Sequence, residues 1–108
     1  RIEDAVIFKN GDVVKASFKL TQTGFDKVKT LGLFVFREPS VGYQMNTVKV
    51  EVPVGERFRE PQYFTINLNL PSNADKLKKG ESYFFRVGAL IDVPEAKYNY
   101  AKAVRLTL

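Results

Sequence analysis

Cysteine, histidine and tryptophan are all missing from this chain of 108 residues. Without cysteine there is neither a disulfide nor a thiol nucleophile. Without histidine the commonest general base and the commonest metal ligand go together. No Ser-His-Asp or Cys-His catalytic set can be assembled, and a structural zinc site, which draws on the same two residue types, is excluded. Long apolar runs are missing too. Nothing approaches the roughly 18 residues of a membrane-spanning helix. No stretch has convincing helical periodicity, and the glycines stand singly, with no GxGxxG or P-loop pattern to cradle a phosphate.

What remains is an ordinary globular composition, 44% hydrophobic and 27% charged, of a length that makes one domain with its own core. The net charge is +5, from 17 Lys and Arg against 12 Asp and Glu. The lysines are scattered along the chain rather than blocked, so they read as a soluble face and not as a polyanion site. No signal peptide is visible and the chain opens on Arg1 without a Met. The expectation is a single β-sandwich domain over residues 1–108, excised from a longer chain with a preceding N-terminal domain.

The ordered pattern is alternation. Ile2 to Phe8 is an apolar run ended by Asn10-Gly11, a pair suited to a tight turn. Val14, Ala16, Phe18 and Leu20 then alternate with polar residues, as a strand with one wet face does. Thr21 to Thr30 reads as a loop. Leu31 to Phe36 is apolar on both faces and is closed by Pro39. Val48, Val50 and Val52 form a fourth strand ending before Pro53, and Phe64, Ile66, Leu68 and Leu70 a fifth, ended by Pro71. Ser72 to Lys76 is predicted to form one helical turn with Ser72 as its N-cap. Tyr83, Phe85, Val87 and Ala89 line one face of a sixth strand, and Tyr98 to Leu108 is the seventh, with Val104, Leu106 and Leu108 inward. Seven short strands separated by turn signals predict an all-β sandwich. Its expected core holds Val14, Phe18, Leu20, Leu33, Val35, Val50, Phe64, Ile66, Leu68, Leu77, Tyr83, Phe85, Val87, Val104 and Leu106.

The run Leu77-x-x-Gly80-x-x-Tyr83-x-Phe85-x-Val87-x-Ala89 resembles the corner and following strand of a fibronectin type III or related immunoglobulin-like domain. In such domains the corner tyrosine bonds back to the backbone a few residues upstream. The segment Val104 to Leu108 resembles their last strand. The Trp common on the second strand of fibronectin type III domains is replaced, with Phe18 in its place. The resemblance implies a seven-stranded antiparallel β-sandwich. More narrowly, YFFRVGA followed by YNYAKAVRL is similar to the C-terminal domain of uncharacterised surface lipoproteins that accompany outer-membrane glycan-uptake systems of Bacteroidetes. That similarity implies an extracellular, non-catalytic module at the cell surface, held to the membrane only through a lipid anchor outside this segment.

Paired carboxylates are the one catalytic class left open. The candidates Glu3 with Asp4, Glu56 with Glu60, and Asp92 with Glu95 are local loop pairs with no pocket residues around them, so no catalytic residue, metal ligand or cofactor is expected. Aromatics are the stronger lead, because sugars are held by ring stacking beside polar side chains. The candidate ligand-binding residues are Tyr43, Arg57, Phe58, Arg59, Tyr98 and Tyr100, with Gln44, Asn46 and Asn99 beside them. The alternative is structural: Tyr98 and Tyr100 pin the last strand, and Phe58 covers a core edge. The expected partners are thus a polysaccharide or oligosaccharide, or a neighbouring domain or surface protein. Nucleic acid is not expected, since base stacking needs a basic groove as well. The third and sixth strands, apolar on both faces, predict a docking face that includes Phe34, Phe84 and Leu90. A spacer or docking domain with no ligand of its own is the competing reading.

Overall fold

The computed structural model describes residues 1–108. Eight strands follow one another: β1 (Ile2–Asn10), β2 (Val13–Leu20), β3 (Val28–Phe36), β4 (Val48–Glu56), β5 (Gln62–Asn69), β6 (Ser82–Ile91), β7 (Asn99–Tyr100) and β8 (Val104–Thr107). They form two antiparallel sheets, one ordered β1-β2-β5, the other β4-β3-β6 with β7 and β8 both on the free side of β6. The expected β-sandwich is present. β4 pairs with β3 and not with β5, which separates it from constant-type immunoglobulin domains, whose fourth strand joins the first sheet.

The alternation of β2 lays Val14, Ala16, Phe18 and Leu20 into the interior. Opposite them lie Leu31, Leu33 and Val35 of β3 and Tyr83, Phe85, Val87 and Ala89 of β6, all buried in one cluster. Val50, Phe64, Val104 and Leu106, predicted as core, are half-buried against its margin.

Five boundaries differ from the sequence expectation. The β1–β2 turn is Gly11-Asp12, because Asn10 still pairs with Val13. Gly11, with φ +61°, takes the positive angle that a two-residue hairpin requires. β3 begins at Val28, inside the expected loop: Val28 is fully buried, but it stands alone between Lys27 and Lys29 and makes no periodic pattern. β4 runs on through Pro53, which is tolerated because β4 is an edge strand and its outer N–H positions have no partner to lose. The helical turn is a 3₁₀ turn, Pro71–Asn73, with Leu70 and not Ser72 at the cap. The last strand is two strands. Tyr100 lies opposite Gly88, but Val104 lies opposite Phe85, so the register moves by one residue between them, the signature of a bulge.

The corner before β6 is built as its residues predict. Gly80 turns the chain at φ +86°, Leu77 is buried, and the Lys78 N–H donates to the Tyr83 hydroxyl at 2.8 Å. That hydroxyl in turn lies 3.1 Å from Glu81 Oε2. The Leu108 N–H donates to the Glu81 carbonyl at 2.9 Å, tying the chain's end to the same corner.

The outward face of the second sheet is not the open apolar surface that the sequence implied. Phe34 is fully buried, with Val41 and Tyr98, in a second apolar cluster on that face. Phe34 is therefore no docking residue: the 37–47 connection and Tyr98 cover it from within the domain. Phe84 and Leu90 are half-buried and pack against the same cluster.

Replacing Tyr83 with Phe keeps the ring and deletes the bond from Lys78. Urea unfolding should show a loss of about 1 kcal/mol, and no loss would break the corner assignment.

Candidate functional site

Antiparallel pairing puts directly opposed residues on one face of a sheet. On the outward face of the second sheet this makes two cross-strand rows. One runs Glu51, Gly32, Gly88, Tyr100, and the next runs Lys49, Phe34, Arg86. At the centre two glycines face each other across the two middle strands. Glycine inside a strand marks a place where something approaches the backbone closely, and here it is aromatic rings. A Cβ on Gly32 would lie 2.5 Å from the Phe34 ring, and one on Gly88 would lie 2.9 Å from both Tyr98 and Tyr100. The absent side chains form a floor on which the rings lie down.

Tyr98 crosses this floor. It leaves the 92–98 connection on the far side of β6 and reaches Glu51 on β4, where its hydroxyl donates to Oε2 at 2.8 Å. Its ring meets Phe34 edge-on at 5.1 Å. Tyr43 and Tyr100 flank it in near-parallel stacks, at 5.5 Å and 24° and at 5.9 Å and 19°. Three tyrosines thus stand side by side over one buried phenylalanine, in the offset-stacked and edge-to-face geometries that aromatic quadrupoles favour. Tyr98 is buried at the centre, whereas Tyr43 and Tyr100 are 46% and 40% exposed. Of the three, only the outer two are open to a ligand.

The walls hold this array in place. The Tyr43 N–H donates to the Tyr100 hydroxyl at 2.8 Å, joining the 37–47 connection to β7. The Asn46 side-chain amide donates to the carbonyls of Gly42 and Tyr43, closing the 42–46 segment on itself. Arg86 Nη1 donates to the Val41 carbonyl at 3.2 Å, and its guanidinium sits 5.3 Å from the Tyr100 ring centre. Lys49 Nζ stands 4.9 Å from the Tyr43 ring centre and 3.1 Å from Glu51. Between the walls is an open cleft of about 770 Å³.

Glu51 and Tyr98 shift each other's proton affinity. Partial burial pushes the Glu51 carboxyl up, but the hydrogen bonds from Tyr98 and Lys49 and the Lys49 charge outweigh it and hold the carboxyl below its usual range. Burial first, then the bond to the Glu51 anion and its charge, raise the Tyr98 phenol far above its ordinary value. The signs are opposite in pH. The Glu51 contribution to stability is present above the ordinary carboxylate range and fades as pH falls through the folded value. The Tyr98 contribution is complete below the ordinary tyrosine pKa and fades as pH rises.

Of the residues singled out in the sequence, the structure brings Tyr43, Tyr98 and Tyr100 together and leaves Arg57, Phe58 and Arg59 apart. Arg57 Nε donates to the Gly24 carbonyl, and its guanidinium lies 5.0 Å from the exposed Phe25 ring centre. Phe58 packs edge-on against Phe64 at 5.3 Å, covering the core edge, and Arg59 is exposed. Glu51, Arg86, Lys49 and the glycine pair were not legible as site residues. Interior strand glycines beside nearby aromatics were the one available signal, and their juxtaposition depends on a long-range register. Glu3 accepts a hydrogen bond from Thr21, and Asp4 pairs with Lys19. No group of three or more carboxylates is gathered where it could hold a metal.

The domain is thus a β-sandwich with an aromatic cleft on the outer face of one sheet. The chain belongs to the DUF3823_C family, a domain of unknown function, whose model matches residues 1–105. It is similar to a candidate carbohydrate binding protein from Bacteroides uniformis, at 31% identity and a TM-score of 0.84, covering 100% of this chain and 56% of that one. It is also similar to DUF3823 family proteins from Parabacteroides merdae, at 18% identity and TM-score 0.82, covering 99% of this chain and 51% of that one. The third is from Bacteroides ovatus, at 16% and 0.80, covering 99% and 54%. At such identities the last two show the fold alone. The chain spans about half the length of these relatives. No curated protein matches it.

A methyl group at Gly88 has no room beneath the two tyrosine rings. Gly88→Ala should cost about 1–3 kcal/mol in urea unfolding, whereas Gly24→Ala, whose Cβ meets nothing within 4 Å, should change stability by less than about 0.5 kcal/mol. Alkaline spectrophotometric titration should show a tyrosine ionising well above the ordinary value of about 10, and Tyr98→Phe should remove that step.

Proposed function

We propose that this chain is a non-catalytic, extracellular β-sandwich module of a bacterial cell-surface protein, and that it binds glycan in the tyrosine cleft as an accessory to capture or uptake. The observation that carries the reading is the paired exposure of Tyr43 and Tyr100 on either side of a locked, buried Tyr98. Sugar rings present flat C–H faces that stack on aromatic surfaces, and platforms already fixed in place bind at lower entropic cost. Hydrogen-bonding groups for hydroxyls stand at the rim in Gln44, Ser40, Thr30 and Glu51, all of which line the cleft. The description of the Bacteroides uniformis relative as a candidate carbohydrate binding protein supports the reading. So does the resemblance to domains of surface lipoproteins, and on this reading the module belongs to a longer, lipid-anchored chain. The absence of histidine and cysteine leaves little for catalysis beyond carboxylates, and Glu51, the one carboxylate lining the cleft, is already bonded to Tyr98 and Lys49. Two free carboxyls facing each other, which glycoside hydrolysis requires, are not found there.

A glycan array followed by isothermal titration is the test. Binding should be observed to a subset of bacterial-surface or dietary polysaccharides. It should drop about fivefold or more in Tyr43→Ala, the equivalent of about 1 kcal/mol or more of lost stacking, and stay unchanged in Phe58→Ala. Binding that survives Tyr43→Ala and Tyr100→Ala together would move the site elsewhere. The absence of any binding would favour a spacer or docking domain.

A further inference from the structure

We infer that the cleft is built for an anionic glycan, one bearing carboxylate or sulfate groups, with Arg86 as the anion-binding side chain. This rests on the reading of the cleft as a glycan site and names the substrate class. The cations lining it are Lys29, Arg86 and Lys97, against the single carboxylate Glu51. The three ion pairs of the chain are Arg1–Glu3, Lys19–Asp4 and Lys49–Glu51, so none of the three cleft cations has a carboxylate partner and the one cleft carboxylate is already neutralised by Lys49. Glu95 lies in the same connection as Lys97 but does not line the cleft. Lys29 and Lys97, far apart in sequence, therefore converge with Arg86 into a site of positive charge.

Arg86 is the unusual member. It sits in the middle of a β-sheet face, half-buried, between Phe34 and the Tyr100 ring. Its only protein hydrogen bond goes from Nη1 to the Val41 carbonyl, and its Nε is buried without a partner. A guanidinium has five N–H donors, and a buried donor left unmade is costly. The guanidinium has no carboxylate within ion-pair distance, and an anion arriving from the cleft can take the free N–H donors of its terminal nitrogens, leaving the buried Nε as it is. The planar fork matches carboxylate and sulfate oxygens bidentately, and it is more weakly hydrated than an ammonium. Tyr100 adjoins the same guanidinium, so a sugar stacked on that ring would carry its acidic substituent towards Arg86, with Lys29 and Lys97 at the rim.

Titration calorimetry with matched probes tests this: oligogalacturonides against neutral galacto-oligosaccharides of the same length, and sulfated against unsulfated galacto-oligosaccharides. At least one anionic probe should bind about tenfold or more tightly than its neutral counterpart, the size expected of a charge-assisted bond, and the advantage should shrink as salt rises. Which of the two is preferred identifies the anion. Arg86→Gln should abolish the preference, and Arg86→Lys should restore part of it. Because Arg86 also anchors Val41, Lys97→Gln provides a second variant at an exposed position. It should weaken the anionic probe about threefold, whereas Lys15→Gln on the other sheet, with the same loss of net charge, should not. Neutral sugars binding as tightly as anionic ones, with Lys97→Gln and Arg86→Gln indifferent, would overturn the anion inference and leave the glycan site standing. No binding of any probe, neutral or anionic, would overturn both.

Discussion

Where β3 meets β6, Gly32 faces Gly88 across the ladder, and the outer layer of the domain depends on that vacancy. Both strands are central and both bury apolar residues inward. On the outward side two adjacent missing side chains leave a flat stretch of peptide, which would be unusually exposed backbone in the middle of a sheet. Phe34, Tyr98 and Tyr100 cover it. The coverage is the reason that Tyr98 can cross two strands and reach Glu51, and the reason that the rings of Tyr43 and Tyr100 stand beside it instead of folding away. The site is in effect a small second core, laid on the back of the sheet that the main core uses.

This arrangement couples the cleft to stability. The bond between Tyr98 and Glu51 joins the connection after β6 to the edge strand β4, and the bond from Tyr43 to Tyr100 joins the 37–47 connection to β7. Neither contact belongs to a sheet ladder. Each holds a long loop down by a side chain, which limits the ordering entropy that a ligand would otherwise have to supply on binding. Burial, the Tyr98–Glu51 bond and the Lys49 charge beside Glu51 together account for the two displaced proton affinities.

The fold was legible from residues whose signal is local. Alternation in β2, β5 and β6 and the Leu77-Gly80-Tyr83 corner each depend on neighbours in sequence, and each was readable. Val28 was missed because a single buried residue between lysines has no period. Pro53 misled because its cost depends on whether β4 is at an edge, which is a property of the sheet. The site was half legible for the same reason. Tyr43, Tyr98 and Tyr100 announce themselves by type, but what gathers them is the opposition of two glycines 56 positions apart in number, and Glu51, Lys49 and Arg86 acquire meaning only from that register. The docking role expected of the outward Phe34 fails because a strand pattern shows which face a side chain points to and not what later folds over it.

The division between floor and walls has an evolutionary consequence. The floor is fixed by strand register: any side chain larger than hydrogen at Gly32 or Gly88 displaces the rings. The walls are the 37–47 and 92–98 connections, which carry few ladder bonds and tolerate exchange far more readily than strands do. Substituting Gln44, Met45, Ala96 or Lys97 would recontour the cleft and its charge without disturbing the sandwich. If the cleft is the glycan site proposed above, one scaffold can be retuned to many ligands by drift in two short segments, much as the loops of other sandwiches are, but with the recognition surface on the flank of a sheet instead of at its end.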